Sequence, residues 1–469
     1  MGIVTELDRP LSTQGGARPR KGARPDALRI LMCLLIVMTV SRIHQHFPIV
    51  AAARPAVLLV GLALVLALVK PKVLGDFKVW STMWPARVVA ALGVAACFST
   101  VFGISLGASA RFFLEEYSKT LLMAFLLMST IRNARDLKLY AWAFVIGCGV
   151  LAWLSLFVFG MVKANAAGIY RLAALYTYDG NDICVVMLAG LGLCMLTYRT
   201  SGRLGKVASA LVMLGIGVTI ARSGSRGGFL GLSVFTAAFL AMPSSTPVRR
   251  RLVSVAVLAV ALVLGSPSGY WRQMRTILAP EKDYNWTDPT GRRMAWERGL
   301  VYMSEYPLFG VGLNNFPRAE GTISERAKEW RPGMQGIWWM VPHNTYVQVG
   351  AEMGVPALIL WCSLLIGGVV SSVRLRRRMP ARGTTLSDEQ RVLYRFSESL
   401  PLSFVGFAVS STFVSFAYMD PLYILAACLV GMHVALLDRQ KRGNRIARPP
   451  GSQHAAVATA ATRRFPGRR

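Results

Sequence analysis

Apolar runs of roughly twenty residues recur along the chain, each long enough as a helix to cross about 30 Å of hydrocarbon. Twelve such runs read as spans: 27–44, 48–69, 84–102, 112–131, 139–161, 182–198, 206–222, 226–243, 250–266, 343–373, 399–418 and 421–438. Inside a bilayer every backbone polar group must find its partner within the protein, so runs of this kind fold as helices. The expected fold is all-α: a polytopic membrane protein of about twelve transmembrane helices with one large, partly helical loop. Composition agrees, because 54% hydrophobic residues against 16% charged would be unusual for a soluble domain.

The net charge of +30 raises the question of nucleic acid. Its basic residues, however, lie in short clusters between apolar runs, which fits positive-inside orientation and no nucleic-acid partner. With both termini cytoplasmic, the inside segments carry Arg18, Arg20, Lys21 and Arg24, then Lys70, Lys72 and Lys78, and so on to Arg249, Arg250 and Arg251 and to Arg374, Arg376, Arg377 and Arg378. The layout is then a basic segment 1–26, spans 1–9 over 27–266, an outer loop domain 267–342, spans 10–12 over 343–438, and a basic tail 439–469 expected to be disordered. The first apolar run reads as a retained anchor, since no small-residue cleavage site follows it. Lys163, Arg171, Arg222 and Arg226 break the charge pattern at the outer ends of spans, where they can line a polar cavity. All seven cysteines sit in apolar runs without metal-type spacing and imply neither disulfide nor zinc.

Three stretches carry residue types suited to chemistry at the outer face. The first is Pro342-His343-Asn344-Thr345-Tyr346, opening the tenth span, with Asn344, Gln348 and Glu352 recurring on one helical face. Polar residues in a span mark a site by default. His343 is expected in the first turn, where the positive helix dipole keeps the imidazole neutral and able to take a proton; the plainer reading is a capping or interface residue. The second is Arg222-Ser223-Gly224-Ser225-Arg226-Gly227-Gly228, whose guanidinium forks suit phosphate oxygens, unless the glycines serve close helix packing and the arginines reach lipid head groups.

The third lies in the loop: Gly291-Arg292-Arg293-Met294-Ala295-Trp296, then Tyr306-Pro307-Leu308-Phe309-Gly310-Val311-Gly312-Leu313-Asn314-Asn315-Phe316. Helices are expected over 292–306 and 318–330. The glycine turn lacks a following Walker-type lysine, and scaffolding accounts for it as well as phosphate binding does. Among the histidines, His44 and His46 are spaced as a metal pair but have no third ligand.

Taken in order, Ser-Arg-Gly-Gly at a span start, Gly-Arg and Trp296 early in the loop, Pro-Leu-Phe-Gly-Val-Gly-x-x-x-Phe, and Pro-His-Asn-Thr-Tyr at the next span resemble the O-antigen ligase and polymerase superfamily over residues 223–356, most like a ligase. The resemblance implies a glycosyltransferase of the bacterial inner membrane. It would move a glycan from undecaprenyl pyrophosphate to a hydroxyl of lipid A-core at the periplasmic face, in lipopolysaccharide biosynthesis, with loop 267–342 periplasmic. The family's loop histidine maps onto His343, its arginines onto Arg292 and Arg226, and a further one onto Arg171. His343 would be the base. Arg226 and Arg292 would bind the diphosphate, helped by Arg222, Arg293 and Arg171, with Asn344 and Gln348 near the substrate. No acidic cluster suits a metal, so a metal-independent, inverting transfer without cofactor is expected. A polymerase or protein O-oligosaccharyltransferase of the same superfamily is the nearest alternative. A transporter or flippase is the alternative of another class, though the distinctive residues gather at one face instead of through the midplane.

Overall fold

A computed structural model describes residues 26–163, 170–282, 286, 291–325, 327, 340–379 and 386–446. The basic N-terminal segment up to residue 25, the tail from 447, and Trp330, Trp338 and Trp339 lie outside the described residues. The main helices are α1 (Ala27–Ser41), α2 (Pro55–Val69), α3 (Trp84–Phe102), α4 (Ser118–Thr130), α5 (Ala134–Trp153), α6 (Gly180–Thr200), α7 (Arg203–Ser223), α8 (Arg226–Ala241) and α9 (Val248–Gly265). They continue with α10 (Arg292–Glu305) and α11 (Phe316–Thr322) in the large loop, then α12 (Thr345–Arg377), α13 (Asp388–Ser411) and α14 (Asp420–Ile446). Each of the twelve expected spans falls on one of them, and six are long and apolar enough to cross a membrane by themselves. The fold is an all-α polytopic membrane protein. Leu58, Val65 and Leu68 on α2 and Val253, Val257 and Leu264 on α9 are exposed, a surface that lipid tails tolerate and water does not.

Two helices form the centre. In α14, 94% of the span window is buried within the protein, and α6 is buried nearly as fully, packed along α13, α7, α5 and α8. Small residues permit the approach: a Cβ added at Gly192 of α6 would lie 2.4 Å from Ser403 Oγ of α13.

Four expectations are corrected. The run 48–69 is broken at Arg54, whose φ is 46°, because Pro55 begins a new helix after the short turn Pro48–Ala52. The run 399–418 is helical only to Ser411; residues 412–419 form a buried loop whose backbone is drawn off by polar side chains of α12. The second loop helix begins earlier than expected, at Phe316, and breaks after Thr322; of the expected range 318–330, residues 326 and 328–330 lie outside the described residues. The tenth span starts at Thr345 with Asn344 as N-cap, so His343 stands before the helix, outside its first turn.

Within α12 the helix is interrupted at Gly354 (φ 84°), two residues before Pro356. Proline has no N–H to give, and the turn before it frees further groups. The Pro307–Gly312 segment takes them up: Val355 N–H donates to Pro307 O (2.8 Å), Val311 N–H to Ala351 O (2.8 Å) and Gly312 N–H to Glu352 O (3.1 Å). Gly310 and Gly312 have φ of 71° and 108°, and a Cβ at Gly310 would lie 2.3 Å from the Glu352 carbonyl carbon. The glycine turn is therefore a strap across a broken membrane helix, and it anchors the loop domain to the bundle.

Candidate active site

The starts of α6, α8 and α12 meet the ends of α7 and α13 at the loop-bearing end of the bundle. The starts of α8 and α12 rest on the 412–419 loop. Thr345 Oγ1 donates to Val414 O (2.8 Å) and accepts from Phe416 N–H (3.1 Å), and Ala417 N–H donates to Gln348 Oε1 (3.2 Å). One turn deeper, Glu352 accepts from Tyr418 OH (2.5 Å) and from Phe316 N–H (3.2 Å). The polar stripe of α12 thus holds two loops in place, which satisfies its polar atoms away from lipid.

His343 lies against the same 412–419 loop. Its backbone N–H donates to Ser415 Oγ (3.0 Å), and its φ of 46° puts a non-glycine residue in the left-handed region. Such a conformation costs roughly 1–2 kcal/mol and persists where the surroundings enforce it, often at functional sites. The imidazole is pushed down to about 4, first by burial, then by the Arg292 guanidinium, against a smaller opposing pull from the Asp179 carboxylate. The ring is therefore neutral at pH 7, for reasons other than the helix dipole.

Arg292 begins α10 and donates through Nη1 to Phe413 O (3.3 Å), two residues from the Ser415 that holds His343. Arg226 begins α8 and donates through Nη1 to Thr276 Oγ1 (2.8 Å). The next residue, Gly227, lies against the Phe413 ring, where a Cβ would come within 2.7 Å, and Gly228 lies as closely on Cys184. These two glycines do serve packing, and that packing sets the start of α8 against the side chain of Phe413, whose carbonyl Arg292 holds.

Arg171 extends the group from the other side. It sits on a short hairpin, Met161–Lys163 with Tyr170–Leu172, opposite Val162, and its Nη2 is 3.9 Å from Asp179 Oδ2. Asp179 caps α6 in a capping box with Asp182, accepting from the N–H groups of Asn181 and Asp182. A Cβ on Gly180 would stand 3.1 Å from Ser223 O and 3.3 Å from Arg171 Nη2, so the hairpin, the α6 start and the Ser223-Gly224-Ser225 turn are in contact.

The remaining sequence candidates are placed as follows. Arg222, half-buried on the last turn of α7, has no hydrogen-bond or ion-pair partner among the described residues. Arg293 is turned to the exposed side of α10, paired with Glu297 (2.9 Å) and 5.8 Å from the Trp286 ring centre. Asn344 Oδ1 caps α12 by accepting from Tyr346 and Val347 N–H, and Gln348 is committed to the 412–419 loop. Lys163 is exposed on its strand. His46 Nδ1 is 2.9 Å from Tyr176 OH, and no group of three His, Cys, Asp or Glu able to hold a metal occurs among the described residues.

Sequence reasoning missed Ser415, the Phe413 carbonyl and Asp179. The first two were hidden because Phe413, Val414, Phe416 and Ala417 read as the end of a span. The cluster Ser410-Ser411-Thr412 just before them was the available sign of a helix end.

Residues 208–362 match the family described as O-antigen ligase. The match covers Arg222, Arg226, Arg292, Arg293 and His343 and supports the O-antigen ligase superfamily, hence a membrane enzyme of ligase or polymerase type. No curated protein gives a significant match to the chain. Arg171, Asp179 and the 412–419 loop lie outside the matched segment and join the group through the structure alone.

Proposed function

We propose that the protein is an O-antigen ligase-type glycosyltransferase that moves a glycan from undecaprenyl pyrophosphate to a hydroxyl of lipid A-core at the periplasmic face of the bacterial inner membrane. The observation that carries this reading is the shared seating of His343 and Arg292 on one loop, with the start of α8 at Arg226 packed on the same Phe413. A glycosyl diphosphate already holds a good leaving group. The site must supply fixed positive charge where the diphosphate develops, and an acceptor for the proton of the attacking hydroxyl.

In this reading Arg292 and Arg226, with Arg171 and Arg222, bind the diphosphate. His343, neutral and beside Arg292, takes the hydroxyl proton as the acceptor oxygen attacks the anomeric carbon from the face opposite the leaving group. One displacement inverts the configuration. A bound diphosphate would offset the Arg292 charge and make the His343 ring a stronger base only once donor is present, which couples proton transfer to donor binding. Arg293, Asn344 and Gln348 are left with their helix and loop partners. The charge pattern of the connections supports an outward loop domain 267–342 and inward termini.

The test is reconstitution of purified protein with lipid-linked glycan and lipid A-core in excess chelator. Glycan-substituted core with inverted linkage is expected; loss of transfer that divalent ions restore would overturn the metal-independent mechanism. In a deletion strain, accumulated lipid-linked polymer beside unsubstituted core marks a ligase, whereas only single-repeat products would mark a polymerase.

A further inference from the structure

We infer that the opposite end of the bundle carries a binding site for the phosphate of an anionic phospholipid head group, built by Arg199, Arg376 and Arg395 around Glu398. This end is reached by the α6 C-terminus, the α8–α9 connection, the α12 C-terminus and the first half of α13. The transfer chemistry proposed above lies at the other end and does not bear on it.

The Glu398 side chain is 2% exposed. It accepts from Arg199 (3.0 Å), Arg395 (3.2 Å), Ser245 N–H (2.5 Å) and Ser245 Oγ (3.0 Å), with Arg376 at 3.5 Å. A carboxylate offers about four lone-pair sites, so this one is saturated. Three guanidinium groups therefore share a single negative charge. Arg251 lies nearby and spends its Nη1 on the carbonyls of Phe239, Leu240 and Met242. The acids at the head of α13 are engaged elsewhere, Asp388 with Arg391 (3.0 Å) and Glu389 toward Arg439.

Half-buried excess charge is costly unless an anion completes it. The arginines are open to one, because their side chains remain 12%, 17% and 26% exposed for Arg199, Arg376 and Arg395. A guanidinium has five N–H donors in a fork that matches phosphate oxygens, and Arg199 and Arg376 each give only part of theirs to Glu398.

A second observation selects a lipid over a free ion. The Arg376 guanidinium lies 5.6 Å from the centre of the Tyr394 ring, and Tyr394 borders a shallow surface of Met379, Leu386, Leu393 and Leu436 that is flanked by Gln390 and Arg439. A cationic rim beside an apolar wall fits the head group and glycerol end of one phospholipid, as basic pockets between membrane helices do.

Delipidated full-length protein in detergent is titrated with phosphatidylglycerol, phosphatidylcholine or inorganic phosphate and read by native mass spectrometry and thermal shift. Phosphatidylglycerol should bind and stabilise, phosphatidylcholine should do neither, and millimolar inorganic phosphate should not substitute. Arg376→Gln and Arg395→Gln should each weaken phosphatidylglycerol binding about five-fold, while Arg391→Gln leaves it unchanged. Should Arg376→Gln not stay monodisperse, Arg395→Lys is read instead and should show a smaller loss. Equal binding of the two lipids, unchanged binding in the arginine variants, or stabilisation by inorganic phosphate to which the lipid adds nothing would overturn the inference.

Discussion

Ser415→Ala tests how His343, the proposed base, is held. In the native protein the Ser415 hydroxyl accepts the His343 N–H at 3.0 Å and keeps that residue at φ 46°. Removing the acceptor leaves a half-buried N–H unsatisfied, at about 1–3 kcal/mol. The left-handed conformation adds roughly 1–2 kcal/mol that the residue can shed by relaxing toward negative φ. If the productive arrangement loses only the first quantity relative to relaxed ones, its population falls about 5- to 150-fold, since 1.4 kcal/mol is a factor of ten. The assay is single-turnover transfer in proteoliposomes across donor concentrations. kcat should fall by that factor with KM for donor little changed, and the acid limb should stay where burial and Arg292 set it. Ser415→Thr keeps the hydroxyl and should recover most of the rate. A Ser415→Ala rate within two-fold of wild type, or equal losses in the alanine and threonine variants, would refute the reasoning.

Other outcomes follow from the same geometry. With the free imidazole at about 4, kcat/KM should fall only as pH drops through that value, because the proposed base accepts a proton in its neutral form. Arg292→Gln removes a charge that holds the imidazole down, so beside its lower activity the acid limb should move upward yet stay below the ordinary histidine value, burial being the larger cause; an unmoved limb would separate the two residues. Gly354→Ala places a Cβ 2.3 Å from Leu308 O at φ 84°, and the conformation alone costs about 1–3 kcal/mol. A clear drop in the thermal midpoint is expected, and an unchanged one would mean that the strap does not bind the broken helix.

Much of this architecture was open to reading from the chain itself, because apolar length and backbone satisfaction leave few solutions in lipid. The twelve runs all become helices, and the motifs around Arg226, Arg292 and His343 sit at one end. What stayed hidden was where apolar sequence is not helix. Phe413, Val414, Phe416 and Ala417 are as hydrophobic as a span, yet Thr345 and Gln348 capture their backbone and make them a buried loop. Hydropathy reports burial and not backbone conformation. The stripe of Asn344, Gln348 and Glu352 was visible as a pattern, but its work of capping the helix and bracing two loops depends on partners far away along the chain. His343 was assigned to a helix one cap too early, and with it the wrong cause for its neutrality.

The central claim is that His343 takes the acceptor proton while the arginines hold the donor. Measuring donor binding and single-turnover transfer for His343→Ala in the same reconstituted preparation tests it most directly. Donor affinity should remain within a few-fold of wild type while transfer falls about 10²- to 10⁴-fold, the usual loss for a missing proton-transfer group. Transfer at the wild-type rate, or a loss that tracks weakened donor binding alone, would contradict the account.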